Sequence, residues 1–124
     1  MIILSLVAIF FSVVALHELI HFLVALAVGL SPRFGIYKIF PFVEYTTESE
    51  IKTIIISLAP GIILPLIGIL IPTGNLYFLW FKILLFINIL EITPMSPDGC
   101  AVLRSFKILI LSNKHNIKKK DSQL

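Results

Sequence analysis

Two histidines and a glutamate near the N-terminus have the types and spacing of a zinc site. His17, Glu18 and His21 form the pattern H-E-x-x-H. On a helix, side chains four residues apart lie one above the other on one face, so the two imidazoles can bind one Zn²⁺. Glu18 lies about a hundred degrees round the helix, where it can reach a water on the metal without binding the metal itself. The pattern is typical of zinc-dependent hydrolysis.

The motif lies inside an apolar stretch, from about Ile2 to Gly29. At about 1.5 Å per residue, this stretch can cross a hydrocarbon core of about 30 Å. Ionisable groups at that depth are costly unless they pair, coordinate an ion or line a wet cavity, so they indicate function. Two other interpretations are purely structural histidines and a secretory signal peptide cleaved near Ala25-Leu26-Ala27. Against the signal peptide, no Lys or Arg precedes the apolar run, and the run is longer than a signal h-region.

Composition predicts an integral membrane protein with a single domain, residues 1–124. Of the 124 residues, 58% are hydrophobic and 14% charged, and the mean hydropathy is +1.04, which is too apolar for a soluble domain of this size. The single Cys100 excludes an internal disulfide. The net charge of +3 is concentrated in a basic tail, residues 112–124. Without interleaved aromatic residues, this tail predicts contact with an anionic bilayer surface and no nucleic-acid binding.

The apolar segments predict an all-α membrane protein with three transmembrane helices, at about residues 2–29, 53–71 and 76–92. Aromatic and β-branched residues between Phe34 and Thr47 predict one or two short strands between the first two helices. The second span contains prolines and glycines, which predict a kinked or locally unwound helix: Pro60, Gly61, Pro65 and Gly68. A short helix from Cys100 to Leu111, with Arg104 and Lys107, is expected at the membrane interface.

Basic residues predict the orientation of the protein in a cell membrane. Three crossings place the first loop and the C-terminal tail on the same side, and most basic residues outside the spans fall there: Arg33, Lys38, Lys52, Arg104, Lys107 and the tail lysines. By the positive-inside rule that side is cytoplasmic and the N-terminus is outside. The exits of the first and third helices then both face the cytoplasm.

A catalytic zinc site normally has three protein ligands, so the two histidines require a third. The candidates are Glu44, Glu48, Glu50, Glu91, Asp98, Cys100 and His115. Asp98 is the strongest, because Pro94, Pro97 and Gly99 allow the chain to turn back toward the first helix after the third. From local sequence alone, an ordinary helix-start or turn residue before the Cys100 segment is the favoured interpretation of Asp98.

Two further segments give the chain a family resemblance. Residues 97–104, Pro-Asp-Gly-Cys-Ala-Val-Leu-Arg, look like the third-ligand segment of the site-2 protease family of intramembrane zinc metalloproteases. Residues 57–61, Ser-Leu-Ala-Pro-Gly, are similar to the middle core helix of that family. The resemblance covers nearly the whole chain. It implies zinc held by His17, His21 and Asp98, with Glu18 as the catalytic acid/base.

These features predict an endopeptidase that hydrolyses peptide bonds in or near transmembrane segments of membrane proteins. Its partners would be the lipid bilayer and a membrane protein or peptide substrate, which the strand-like segment could hold in an extended form. Asn88 is a candidate for orienting the substrate, with an ordinary interhelical hydrogen bond as the other interpretation. The alternative function is an inactive, protease-like membrane module that binds transmembrane segments or metal. A transporter subunit is disfavoured, because no run of polar residues marks a pathway.

Overall fold

Helices dominate the fold, as predicted. The computed structural model describes residues 1–121, with side chains described to residue 119. In chain order the elements are α1 (Ile2–Ala27), β1 (Arg33–Tyr37), β2 (Phe40–Glu44), α2 (Glu50–Leu70), α3 (Leu76–Ile87), a 3₁₀ segment (Asn88–Ile92) and α4 (Pro97–Asp121). Three helical stretches are long and apolar enough to cross a membrane: Ile2–Ala27, Glu50–Leu70 and one within Leu76–Lys119. They support an integral membrane protein and confirm the predicted fold class.

The core lies where α1, α2 and α3 pack together. Its buried apolar residues come from all three helices: Val13, Ile20, Ala59, Leu64, Leu84 and Leu85. Large apolar side chains cover much of the outer surface as well, for example Leu23, Leu66 and Leu79. In a bilayer, lipid covers such faces, so a chain of this length needs no larger internal core.

Helix α2 runs unbroken through Pro60 and Pro65, so the predicted local unwinding does not occur. The helix begins at Glu50, three residues before the predicted start, because the Ser49 side chain accepts a hydrogen bond from the Lys52 N–H at 3.4 Å and caps it. Gly61 allows the 3₁₀ segment to pack closely on α2. A Cβ atom at Gly61 would lie 2.6 Å from Ile92 Cγ1.

The predicted strands form a two-stranded antiparallel sheet between α1 and α2, with Phe34 opposite Val43. Two aromatic pairs hold this hairpin along α1. The rings of Phe34 and Phe22 stack with centroids 4.4 Å apart, and those of Phe40 and Phe11 with centroids 5.9 Å apart. The partners on α1 lie on either side of the H-E-x-x-H motif, so the hairpin is placed over it.

The last residues of the predicted third span are 3₁₀ rather than α-helical. Helix α3 ends at Ile87, and the 3₁₀ segment carries the chain to Ile92. At about 1.5 and 2.0 Å per residue, the two together extend about 28 Å, close to the thickness of a hydrocarbon core.

The C-terminal helix is longer than the predicted Cys100 to Leu111. Helix α4 has 25 residues and runs from Pro97 to Asp121, because Pro97 suits a first helical position and no Gly or Pro follows Gly99. It packs against α2, with Ser105 buried, and its side chains are exposed from Ile110 to Lys119. Most of the predicted basic tail is therefore helical, and residues 122–124 of that tail lie outside the described residues.

Candidate metal centre

His17 and His21 share one face of α1, as their spacing predicts. Their Nε2 atoms lie 3.1 Å apart, and their rings meet edge to face with centroids 4.8 Å apart. His21 is buried and His17 is largely buried. The side chains therefore project from the helix into the protein rather than toward lipid.

The second nitrogen of each ring fixes the tautomer. His17 Nδ1 donates to Asn88 Oδ1 at 2.7 Å, and His21 Nδ1 donates to the carbonyl oxygen of Ile56 at 2.9 Å. Because a carbonyl oxygen only accepts, the proton of each neutral imidazole must be on Nδ1. Both Nε2 atoms therefore present a lone pair, which is the form that binds a metal.

Asp98 meets the two histidines from the start of α4. Its Oδ2 lies 3.0 Å from His21 Nε2 and 3.4 Å from His17 Nε2. The turn that precedes it is stabilised by Ser96, whose Oγ accepts a hydrogen bond from the Gly99 N–H at 2.9 Å. Asp98 is thus a helix-start residue and a neighbour of the histidines at once, so the two interpretations of its sequence are compatible.

Gly99 makes this turn possible. A Cβ atom at Gly99 would lie 1.8 Å from the carbonyl oxygen of Thr93. Any side chain would therefore force α4 away from the 3₁₀ segment and move Asp98 with it. The glycine of the Pro-Asp-Gly sequence is required by a close backbone approach.

The three side chains fit a zinc ion. The ligand atoms of His17, His21 and Asp98 all lie within 4.8 Å of one another. Tetrahedral bonds of about 2.0 to 2.1 Å place neighbouring ligand atoms about 3.3 Å apart, and the three ligand atoms lie 3.0 to 3.4 Å from one another. Two imidazole lone pairs and a carboxylate facing one another repel unless a proton or a metal ion lies between them. The donor set therefore suits Zn²⁺, with a fourth position left for water or substrate.

The other candidate third ligands lie elsewhere. Within residues 1–119, no further group of three potential ligand atoms comes together. Cys100 is exposed, and its thiol donates a hydrogen bond to the carbonyl oxygen of Pro94 at 3.0 Å. His115 is exposed on the distal part of α4. Glu91 borders the cavity described below, but it does not join the metal-binding group.

Glu18 lies beside the cluster without belonging to it. Its Oε2 accepts a hydrogen bond from the backbone N–H of Val43 on β2 at 2.9 Å. Sequence analysis missed this contact, because a backbone donor leaves no signal in the side chain at its position. The hairpin therefore holds the carboxylate next to the histidines.

The cluster opens into a cavity of about 520 Å³. One wall comes from α1 and α3 and is largely apolar, including Phe10, Val13, Val14, Leu84 and Ile87. The other wall comes from the hairpin and the residue that follows it, with Phe42, Val43 and Tyr45. A cavity of this size and lining can hold several apolar side chains next to a few polar groups.

Asn88, the candidate for orienting a substrate, borders this cavity but also holds two hydrogen bonds within the protein. Its Oδ1 accepts from His17, and its Nδ2 donates to the carbonyl oxygen of Leu84 at 2.8 Å. The second bond sets the orientation of the amide and therefore supports the tautomer of His17. A direct contact between Asn88 and substrate stays a prediction.

Tyr45 is a polar wall residue that sequence analysis did not single out. It follows β2 directly, is partly buried and forms a hydrogen bond with Ser57. Burial raises the pKa of the Tyr45 phenol; the bond with Ser57 opposes this, and the negative charge of Asp98 adds to it. Because the net shift is upward, the phenol is a neutral O–H group at neutral pH.

Comparison with known proteins assigns the family. Residues 10–93 match the model of a family described as "Putative zincin peptidase". Since the match covers more than half of the chain, the protein belongs to this family. The matched range contains the H-E-x-x-H motif and Asn88 and ends before Asp98. No curated protein and no solved structure matches the chain.

If the three residues hold zinc, removal of one ligand lowers the zinc content. We expect near one zinc per chain in detergent-purified protein, and a large loss in His21→Ala and Asp98→Ala, because two remaining ligands bind weakly. Elemental analysis after dialysis against a weak chelator measures this. His115→Ala is the matched control and should keep its zinc.

Gly99→Ala tests the turn itself. It removes no ligand, yet it should lower zinc content because Asp98 moves away from the histidines. Gly74→Ala is the control, since a Cβ atom there meets nothing within 4 Å. Full zinc in both His21→Ala and Asp98→Ala would contradict the three-ligand site.

Proposed function

We propose that the protein is a zinc-dependent endopeptidase of the site-2 protease kind, which cleaves peptide bonds in or near the transmembrane segments of membrane proteins. One observation carries the proposal: the ligand atoms of His17, His21 and Asp98 converge beside Glu18 in a chain with three candidate membrane spans. The family match to zincin peptidases supports the zinc chemistry. The assignment of membrane-protein substrates goes beyond that match and is part of the proposal.

The residues divide the chemistry among them. His17, His21 and Asp98 hold the metal, and Asn88 and the carbonyl of Ile56 keep the histidines in the binding tautomer. When bound, zinc lowers the pKa of a water ligand toward neutrality and polarises a carbonyl group. Glu18 accepts a proton from the attacking water and returns it to the nitrogen of the leaving amine.

The cavity favours apolar substrates. Its helical wall is built from Phe, Val, Leu and Ile side chains, which match those of a transmembrane segment. A helical segment hides its carbonyl groups in internal hydrogen bonds, so it must be extended before cleavage. The hairpin beside the site can supply the backbone partners that an extended segment needs.

The pairing register of β1 and β2 shows which edge of the hairpin faces the site. Because the N–H of Val43 points to Glu18, the pair Phe34 and Val43 is of the non-hydrogen-bonded type, with outward-facing N–H groups. The neighbouring pair of this type contains Pro41, which has no N–H. On β2, Val43 is therefore the donor that faces α1. A substrate carbonyl arriving there competes with Glu18 for that donor, so substrate pairing would release the carboxylate for catalysis.

Replacing the general base separates the enzyme from its alternative, an inactive module that binds transmembrane segments or metal. The hydrogen bond that occupies Glu18 favours the alternative, because a general base needs a free carboxylate.

For the enzyme, we expect Glu18→Gln to lower the rate of cleavage at least about 100-fold while zinc stays bound. The assay uses proteoliposomes that contain labelled transmembrane peptides with a Gly-Pro pair near one interface, and mass spectrometry of the products.

Glu48→Gln is the matched control, since Glu48 is an exposed acid in the loop before α2. Cleavage by Glu18→Gln at the wild-type rate would contradict the proposed mechanism. Zinc-loaded wild type that binds these peptides without cleaving them would favour the inactive module.

Two proline substitutions test which strand edge holds the substrate. Val43→Pro removes the donor on β2 that faces α1, and Ile36→Pro removes one of the two outward donors on β1. Neither change removes a bond of the two-stranded ladder. We expect Val43→Pro to raise KM or abolish cleavage and Ile36→Pro to leave cleavage near normal. The same peptide assay measures both. The opposite pattern would assign the substrate to β1, and unchanged cleavage in both would exclude pairing through the N–H groups of Val43 and Ile36.

The excess of basic residues near the first loop and α4 supports an orientation in the cell membrane with the N-terminus outside and the C-terminus cytoplasmic. In a Cys100→Ser background, a membrane-impermeant maleimide applied to intact cells should label Gly74→Cys and not Thr46→Cys. Permeabilised cells should show labelling of both. Labelling of only Thr46→Cys in intact cells would reverse the orientation.

A further inference from the structure

Tyr45 occupies a position in the cavity that the chemistry above does not use. It borders the same cavity as His17, His21 and Asp98, and the charge of Asp98 influences its phenol. It lies two residues beyond Val43, the residue that holds Glu18. The phenol therefore lies on the hairpin side of the cavity, opposite the helix that carries the histidines.

Helix α2 anchors the phenol and a histidine through consecutive residues. Ser57 is buried, with 3% of its surface exposed, and it hydrogen-bonds Tyr45. The preceding residue, Ile56, accepts the hydrogen bond from His21 Nδ1 at 2.9 Å. One turn of α2 thus fixes the phenol relative to a predicted metal ligand.

The phenol keeps a proton that it can donate into the cavity. Each hydroxyl can donate or accept, and a bond in which the Ser57 hydroxyl donates to the phenol oxygen leaves the Tyr45 O–H free. In that arrangement the O–H can point into the cavity, which Tyr45 borders. Among the other polar residues of the cavity, Glu18 and Glu91 are carboxylates that accept, and one of the two N–H groups of the Asn88 amide donates to the carbonyl oxygen of Leu84 at 2.8 Å.

We propose that Tyr45 is a further catalytic residue, whose phenol donates a hydrogen bond to the oxyanion that forms on the scissile carbonyl. This inference rests on the proposed peptidase function. A neutral donor fixed in a largely apolar cavity stabilises a developing negative charge more strongly than the same donor does in water.

The step balances without a further reactant. The water oxygen bonds to the carbonyl carbon, the electron pair of the C=O double bond moves to the carbonyl oxygen, and Glu18 takes the water proton. Tyr45 stays protonated and holds the resulting oxyanion by its hydrogen bond. When the C=O bond re-forms, the C–N bond breaks and the proton on Glu18 passes to the amine nitrogen.

Tyr45→Phe removes the hydroxyl and keeps the ring. For the proposed role, kcat should fall on the order of 100-fold, while KM and zinc content stay close to those of wild type. Tyr37→Phe is the matched control, because Tyr37 is an exposed tyrosine on β1 of the same hairpin. It should cleave the peptides at the wild-type rate.

Inhibitor binding gives a readout that does not depend on turnover. A peptide phosphonamidate carries a tetrahedral anion in place of the scissile bond, so Tyr45→Phe should bind it less tightly by a factor similar to the loss in kcat. Binding of a peptide with a normal amide bond, measured in Glu18→Gln with and without Tyr45→Phe, should change little.

The outcomes separate this inference from the function on which it rests. Wild type that cleaves, together with Tyr45→Phe that keeps kcat and phosphonamidate affinity, overturns the role of Tyr45 and leaves the peptidase intact. Loss of zinc in Tyr45→Phe also overturns it, because the phenol is then a structural support. A zinc-loaded wild type that cleaves no peptide overturns the peptidase itself.

Discussion

Polar groups on a helix that can span a membrane must find their partners within the protein, because lipid offers none. Each polar side chain of the H-E-x-x-H motif meets this constraint through a different element. His17 bonds Asn88 in the 3₁₀ segment, His21 bonds the backbone of α2, and Glu18 bonds the backbone of β2. The three bonds therefore tie α1 to the 3₁₀ segment, to α2 and to the hairpin. They set the tautomers and orientations that a metal ion requires.

Two glycines allow these partners to come close enough. Gly61 lets the 3₁₀ segment lie against α2, and Asn88 belongs to that segment. Gly99 lets the first turn of α4 lie against the carbonyl oxygen of Thr93 and presents Asp98 to the histidines. The polar bonds and the small residues thus depend on each other, since a side chain at either glycine moves a partner of the cluster.

The sequence predicts local features of this arrangement better than contacts between distant elements. Helical spacing is enough to place His17 and His21 on one face, and the apolar segments predict the spans. The approach of Asp98 to the histidines could be predicted from the turn residues Pro97 and Gly99 and from the family resemblance. The full length of α4 was not foreseen, because its lysine-rich end has the composition of a solvated tail although lysine is a good helix former.

Backbone partners explain most of what sequence analysis missed. Glu18 is held by the N–H of Val43 and His21 by the carbonyl of Ile56, and both groups exist at almost every position of a chain. The unbroken course of α2 through Pro60 and Pro65 is a second case. Neighbouring elements decide whether a helix tolerates the lost N–H groups, and a sequence does not show its neighbours.

In the proposed mechanism, metal binding and the positioning of the catalytic groups depend on different elements of the fold. The predicted ligands come from α1 and α4, whereas the partner of Glu18 is in β2 and Tyr45 follows that strand directly. The stacked rings of Phe34 and Phe22 fix this hairpin to the helix that carries the histidines. In the proposed mechanism, α1 and α4 hold the ion, while the hairpin places the base and the oxyanion donor around the carbonyl. Such a division lets substrate pairing at β2 act on catalysis without disturbing the metal ligands.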